Sequence, residues 1–426
     1  MSKPKTNQDI YVFAHWQGME EPVLMGILHA ELLRGKEIFS FEYDEGWLQS
    51  DYVQLLDPEL QLYSGLHYLK EDNKHNFGLF LDSSPDRWGR LLMRRREAAL
   101  ARADRRPEHK LFETDYLLGV YDGHRMGALR FKKDLEGPFL NDNKEMASPP
   151  WASIRELEAI SLRLEDDNAL NDPDYLKWLG MLLAPGSSLG GARPKASIVD
   201  KGNNLWIAKF PSRHDQDDVG GWELVTYKLA IAAGLQMAES QANKFSGPQH
   251  TFLTKRFDRT KHGERIHFAS AMTLLDYTDG QDHEDGASYL ELAEFIMSKG
   301  ANVQGDLEEL WRRIVFYICV SNTDDHLRNH GFILTSEGWI LSPAYDINPV
   351  ETGTGLKLNI SENDNSLSLD LAMEVSAYFR LNEAKAHHIM EKVRSSVLNW
   401  KKEANRIGIS RAEQELKARA FIRCSI

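Results

Sequence analysis

The chain opens on hydrophobic runs of strand type and closes on runs of helical period. Between residues 10 and 43, short β-prone stretches (Ile10-Tyr11-Val12-Phe13, then Ile38-Phe39-Ser40-Phe41) alternate with turn residues, which predicts a small sheet. Trp88, Leu91 and Leu92 then recur at helical spacing among Arg87, Arg90, Arg94, Arg95, Arg96, Arg102, Arg105 and Arg106, predicting an arginine-rich helix. Residues 115–124 and 127–131 read as a helix running into a turn and a strand, and the polar stretch 141–150, ending in Ser148-Pro149-Pro150, reads as a linker.

Two helical stretches follow, near 154–164 and 174–183, and then a glycine-rich segment from Gly186 to Lys195. Strand-like runs are predicted at 196–199, 205–210 and 251–257, with a helix over about 221–233 between the last two. From about residue 287 the pattern is mostly helical, with amphipathic stretches at 289–297, 307–320, 383–397 and 412–422. This order predicts an α+β protein in three parts: a β-rich N-terminal domain over 1–140, a nucleotide-binding lobe over 150–275 and a helical lobe over 276–426.

Composition narrows the class. With 426 residues, 42% of them hydrophobic, the chain can bury a substantial core. No apolar run approaches the ~18 residues that span a bilayer. Met1-Ser2-Lys3-Pro4-Lys5 leads into polar residues rather than a signal-peptide core, so the expected location is the cytoplasm, with no membrane partner. Cys319 and Cys424 fit no metal-ligand spacing and read as two reduced thiols. A formal net charge of −13 argues against nonspecific nucleic-acid binding by the whole chain. The arginine-rich helix reads either as a solvated face or as a docking surface for DNA or an acidic partner.

The chemistry centres on Ser321-Asn322-Thr323-Asp324-Asp325-His326-Leu327-Arg328-Asn329-His330. Asp324 and Asn329 stand five residues apart on a short loop. That is the spacing by which a phosphotransferase places a base for the attacking hydroxyl and a carboxamide for magnesium. Asp and Asn also crowd ordinary turns. Gly186 and Gly191 have the spacing of a Walker A loop, yet Ala192-Arg193 replaces its Lys and Ser/Thr, and no Gly-x-Gly-x-x-Gly is present. What remains is a flexible backbone able to turn several N–H groups toward an anion, or a plain surface loop. Lys209, inside the apolar strand Trp206-Ile207-Ala208-Lys209-Phe210, needs an anionic partner unless it lies on an edge and reaches solvent. Asp346, between Tyr345 and Ile347, is a second acid, and a hairpin of 331–334 with 339–341 would bring it to Asn329. Taken singly, it would also serve as a turn cap.

The same segments identify a family resemblance. Phe80-Leu81-Asp82-Ser83-Ser84-Pro85-Asp86-Arg87-Trp88-Gly89-Arg90, Gly127-Ala128-Leu129-Arg130-Phe131, the Ser187–Lys195 loop, Lys255-Arg256-Phe257-Asp258-Arg259 and Asn322–Asn329 resemble the signatures of the HipA-family kinases, toxins of bacterial toxin–antitoxin pairs. The resemblance implies a two-lobed protein-kinase-like fold with a small β-rich N-terminal domain and a mostly helical C-terminal lobe. By the same resemblance Asp324 is the catalytic base, Asn329 and Asp346 hold Mg2+, and Lys209 contacts the phosphates of ATP. Ser188, Gly190, Gly191 and Lys195 belong to the phosphate loop, and Lys255 to Phe257 border the adenine. Ser188 corresponds to the loop serine that relatives autophosphorylate, and a phosphoserine there would add about −1.5 to −2 charges against the ATP phosphates. Arg193-Pro194 departs from members that carry polar residues at that place, which leaves the reach of Lys195 open.

Three functions remain open on the sequence. The first is a serine/threonine kinase toxin that phosphorylates a translation component, with an aminoacyl-tRNA synthetase as the leading candidate by resemblance. The second is a subunit held by a HipB-like helix-turn-helix antitoxin, acting as co-repressor on operator DNA indirectly through that partner. The third is a small-molecule kinase, since the same loop serves any hydroxyl.

Overall fold

The computed structural model describes residues 7–71, 74–166, 168–183, 191 and 193–425. Its contacts divide the chain into two units, Met1–Ile207 with Asp258–Thr278, and Ala208–Phe257 with Asp279–Ile426.

In the first unit, strict alternation builds an antiparallel sheet. β1 (Asn7–Ala14), β2 (Val23–Leu33), β3 (Lys36–Tyr43), β4 (Leu66–Tyr68) and β5 (Leu129–Lys132) lie in the order β4-β3-β2-β1-β5. The registers Ile10↔Leu28, Leu28↔Phe41 and Val12↔Phe131 put opposed apolar side chains on one face, and all five are fully buried. Phe80, on the short helix Gly78–Asp82, covers that face with its ring 5.6 Å from Phe41 and 6.2 Å from Phe131.

The arginine-rich segment is a helix, α1 (Arg87–Ala103), started by Asp86, whose carboxylate accepts the Gly89 N–H at 2.8 Å. Trp88 and Leu92 are its buried stripe. Several of the arginines are engaged within the unit: Arg90 forks onto Glu113 at 2.6 and 2.7 Å, and Arg95 donates to the Leu164 carbonyl at 2.9 Å. α2 (Ile154–Leu164) and α3 (Tyr175–Leu183) follow, as the periodicity predicts. β6 (Lys195–Val199) turns through residues 200–204 into β7 (Leu205–Lys209), whose last two residues, Ala208 and Lys209, belong to the second unit.

In the second unit, β8 (Ser240–Asn243) pairs antiparallel with β9 (Thr251–Lys255). α4 (Val219–Ala233) is capped by Asp218, which also accepts the backbone N–H of His250. A Cβ on Gly220 would stand 2.2 Å from the His250 carbonyl oxygen, so only glycine lets the first turn of α4 approach the chain ahead of β9 this closely. α5 (Tyr289–Lys299) begins in a capping box of Ser288 and Glu291. α6 (Val303–Val320) runs through the core, with every residue from Ile314 to Val320 fully buried. β10 (Gly331–Thr335) and β11 (Gly338–Leu341) form the expected hairpin, registered Phe332↔Leu341. α7 (Glu383–Val397), α8 (Trp400–Ile407) and α9 (Arg411–Lys417) complete the unit. Among the described residues, no helix is long and apolar enough to cross a membrane.

One element departs from its pattern. The apolar period predicts a helix over 412–422, but α9 stops at Lys417 and 3-10 turns run over Ala418–Ser425. Tertiary contacts set the winding here. The Ala420 carbonyl accepts the Ser321 hydroxyl at 2.8 Å, and Phe421 is stacked on Trp400 at 4.5 Å with the rings 11° apart.

Asp57 gives the first unit a pH dependence. Its buried carboxylate accepts the N–H groups of Glu59 and Leu79, both at 2.9 Å, yet burial pushes its pKa up from 3.8 to about 7. A folded-state pKa above the unfolded one contributes stability in full below the unfolded value and loses it as pH rises through the folded value. An Asp57→Asn variant removes that titration, so it gains stability relative to wild type as pH rises from about 4 through about 7. Urea unfolding midpoints of the two proteins across that window measure the effect, and a constant difference would contradict it.

Candidate active site

α6 ends where Ser321 turns left-handed, at φ 50° and ψ 50°. The Asn322 N–H closes the helix onto the Tyr317 carbonyl at 2.9 Å, and Arg423 donates to the Ser321 hydroxyl at 3.0 Å. The chain then runs through Asp324 and Asp325 into a single 3-10 turn, Leu327–Asn329.

The two consecutive acids have opposite environments. Asp325 has a side chain 1% exposed, and its Oδ2 accepts the Tyr289 hydroxyl at 2.6 Å and lies 2.7 Å from His330 Nε2. Burial, and then the charge of Asp325, hold the Tyr289 hydroxyl well above its ordinary pKa, so it stays a donor. Asp324 is exposed. Partial desolvation raises its carboxyl above the ordinary value; His326 and Lys357 oppose that shift, and Asp346 adds to it. Asn329 is buried, and its Nδ2 donates to the Asp324 carbonyl at 3.1 Å, which turns its carboxamide oxygen the other way.

The β10–β11 hairpin delivers the next acid. After β11 the Ser342 N–H returns to the Gly331 carbonyl at 2.9 Å, and buried Arg313 donates to the Ser342 carbonyl at 2.7 Å. Tyr345 then donates its hydroxyl to the Arg328 carbonyl at 2.8 Å, which brings the neighbour of Asp346 to the neighbour of Asn329. Asp346 itself has φ +58°, an uncommon conformation for a non-glycine residue.

Lys209 joins this acid to α4. Its Nζ is 2.6 Å from Asp346 Oδ1 and 2.6 Å from Glu223 Oε1, and the Lys209 and Glu223 side chains are 8% and 5% exposed. Burial disfavours the ammonium, but Asp346 and Glu223 more than offset it, and the Lys209 pKa ends above its ordinary value. Lys209 is therefore a permanently charged group on a buried strand end. Its anionic partners are protein carboxylates.

Asp324, Asn329, Asp346 and Lys209, read from the sequence as one site, lie together in the second unit. Lys255 is on the last position of β9, 3.5 Å from Glu239, and the Phe257 ring is 5.7 Å from that of Tyr345. Lys195 and Gly191 belong to the first unit, where the Lys195 ammonium pairs with buried Asp86 at 2.9 Å and donates to the Gly191 carbonyl at 2.8 Å. Ser188 and Gly190 lie outside the described residues. Sequence reasoning missed Glu223, although a lone acid in Trp222-Glu223-Leu224-Val225 on an apolar helix was a signal that a cation must meet it. It also missed the Tyr289–Asp325–His330 group, for which the doubled acid was the only local cue.

The donor set fits a hard cation in an open site. Among the described residues, no group of three or more His, Cys, Asp and Glu side chains is arranged to hold a metal. Asn329 and Asp346 offer oxygen donors of the kind Mg2+ takes when water and phosphate supply the rest.

The contrast between the two acids is measurable. Asp324→Ala, at an exposed position, should change unfolding free energy by less than about 0.5 kcal/mol. Asp325→Ala leaves a buried tyrosine hydroxyl and a buried imidazole without their shared acceptor, and should cost about 2–4 kcal/mol. Denaturant unfolding of both proteins checks this, and equal losses would contradict the assignment.

Residues 187–400 match the family model of the HipA-like C-terminal domain. A putative kinase of Haemophilus influenzae is 29% identical over 179 residues, covering 38% of this chain and 52% of that protein. The putative kinase Y4mE of Sinorhizobium fredii is 25% identical over 148 residues, 33% of each chain. The chain thus spans between a third and about half of the length of these curated relatives. Among solved structures, HipA of the Shewanella oneidensis MR-1 toxin–antitoxin system, in a complex with HipB and operator DNA, superposes with a TM-score of 0.66 at 18% identity, over 98% of this chain and 96% of that one. That likeness is one of fold, and the expected α+β HipA fold, β-rich at its start and helical toward its end, is the one observed. With the domain model matching half of its length, the chain belongs to the HipA-like family.

Proposed function

We propose that this chain is an ATP- and Mg2+-dependent serine/threonine protein kinase, the toxin of a toxin–antitoxin pair acting in the cytoplasm. The observation that carries the reading is the buried Lys209 ammonium between Glu223 and Asp346, beside an exposed Asp324 whose loop also supplies Asn329. A lysine fixed by a helix glutamate, a loop base and two oxygen ligands are the parts a phosphoryl transfer requires. Bound Mg2+ and ATP would supply the phosphoryl group and neutralise its charge. Asn329 and Asp346 would hold the ion, Lys209 would face the phosphates, and Lys255 to Phe257 would border the base.

Asp324 is the group that takes the proton from the attacking hydroxyl. Its raised carboxyl keeps it a better base than a fully solvated aspartate, while its exposure lets a protein side chain reach it. Phosphorylation of Ser188 would place about −1.5 to −2 charges on the glycine-rich loop and switch the enzyme off by repulsion of ATP. A HipB-like helix-turn-helix antitoxin would bind the chain and connect it to operator DNA, as the Shewanella oneidensis assembly suggests. The substrate would be a translation component, with an aminoacyl-tRNA synthetase as first candidate.

Transfer from γ-labelled ATP in cell extract tests the reading. Wild type should label a protein on serine or threonine, and Asp324→Ala should lower the rate about a hundredfold or more. Label found on a metabolite instead would replace the protein substrate, and transfer that persists in Asp324→Ala would overturn the base. For the switch, wild type should lose activity on incubation with ATP and Ser188→Ala should keep it. Equal losses in both would remove Ser188 from the account.

A further inference from the structure

A second cation, Lys357, acts electrostatically on Asp324. Lys357 lies in the segment that follows Asp346, and several contacts hold this segment against the loop that carries the base. The Asn348 N–H donates to Asn322 Oδ1 at 3.1 Å, and the Val350 N–H to the Ser321 carbonyl at 3.2 Å. A Cβ on Gly353 would stand 2.3 Å from the Thr323 side chain, so the segment packs directly on the residue before Asp324. Gly353 is required for that approach.

Lys357 is fixed at both ends. Its carbonyl accepts the His283 N–H at 2.8 Å, and its Nζ is 2.9 Å from Asp282 Oδ2. Asp282 is itself immobilised, because its Oδ1 accepts the Glu284 N–H at 3.0 Å and its own N–H donates to Asp285. The Lys357 side chain nevertheless remains 44% exposed, so one carboxylate aims the ammonium without enclosing it. The hydrogen bond that Lys357 donates to Asp282 is the largest influence that raises its pKa, and the charge of Asp324 adds to it. Lys209 is held by two carboxylates inside the unit. Among the described residues, Lys357 has one ion-pair partner and an open side.

We propose that Lys357, aimed by Asp282, is a catalytic residue of this site, contacting the phosphoryl group as it passes to the acceptor hydroxyl. The inference rests on the kinase reading above and deepens it. In the step, the acceptor oxygen forms a bond to the γ-phosphorus and the bond from that phosphorus to the bridging oxygen breaks. ADP leaves with the electron pair, and the hydroxyl proton goes to Asp324. Lys357 exchanges no proton. It stabilises charge on the equatorial phosphoryl oxygens from the acceptor side, which Lys209, committed to Glu223 and Asp346, does not cover. Asp282 is a positioning residue that acts through Lys357.

Steady-state transfer kinetics joined to calorimetric binding of a nonhydrolysable ATP analogue with Mg2+ test this. Lys357→Met should lower kcat about tenfold or more while leaving analogue affinity within twofold of wild type. Lys357→Arg should recover most of the rate, because it keeps the charge, and Asp282→Asn should fall between wild type and Lys357→Met. Since the side chain is 44% exposed, unfolding midpoints should match wild type, and Lys357→Gln provides a second neutral variant. A wild-type kcat in both neutral variants would overturn the inference and leave the kinase reading intact. Equal losses in the Met and Arg variants would also overturn it, by showing that shape and not charge is needed. No Asp324-dependent transfer by wild type itself would overturn the kinase reading and the inference together.

Discussion

A buried ammonium organises the candidate active site. Moving a charge of that size out of water costs several kcal/mol even after relaxation, so Lys209 is tolerated only because two carboxylates meet it at 2.6 Å. Those carboxylates come from separate elements: Glu223 from the second turn of α4 and Asp346 from the segment beyond β11. Charge balance thus fixes a strand end, a helix and a loop to a single point. Removing Lys209 would leave two carboxylates without their cation, and removing Glu223 would leave Lys209 held by Asp346 alone, so geometry at Asp346 depends on a glutamate that need never touch a ligand.

The loop that carries Asp324 is held by a different kind of force. Asp325 anchors it from below through Tyr289 and His330, and Ser321 anchors its start through the Ala420 carbonyl and Arg423. The C-terminal segment is pinned in turn by the stack of Phe421 on Trp400. These supports account for how one acid can stay exposed beside another that is fully enclosed. A base must be both placed and reachable. If Asp324 is the base proposed above, neighbouring residues divide those two requirements.

Much of this was legible in the sequence because the relevant signals are local. Alternation around Ile10 and Phe39 gave strands of the first sheet, and the turn between two short apolar runs gave the β10–β11 hairpin that carries the chain from Asn329 to Asp346. An isolated lysine in an apolar strand marked Lys209 as either a buried cation in need of an anion or an edge residue reaching solvent, and the fold buries it. The identity of its partner was not legible, because Glu223 and Asp346 are joined to it by folding and not by spacing. The same holds for Lys195, whose partner Asp86 lies far back in the chain. The winding of Ala418–Ser425 escaped the pattern for a related reason. Its carbonyl and ring contacts are tertiary, and helical period carries no information about them. Lys357 was invisible at that level, since nothing in its own neighbourhood marks it until the chain is folded onto Thr323.

On the proposed function, the Lys209 charge cluster builds the nucleotide and metal site. Calorimetric titration of a nonhydrolysable ATP analogue with Mg2+ into wild type and Glu223→Gln tests it most directly, because Glu223 is buried behind Lys209. The account predicts that Glu223→Gln weakens binding about tenfold or more while the protein still unfolds cooperatively. Affinity equal to wild type in that variant would contradict it.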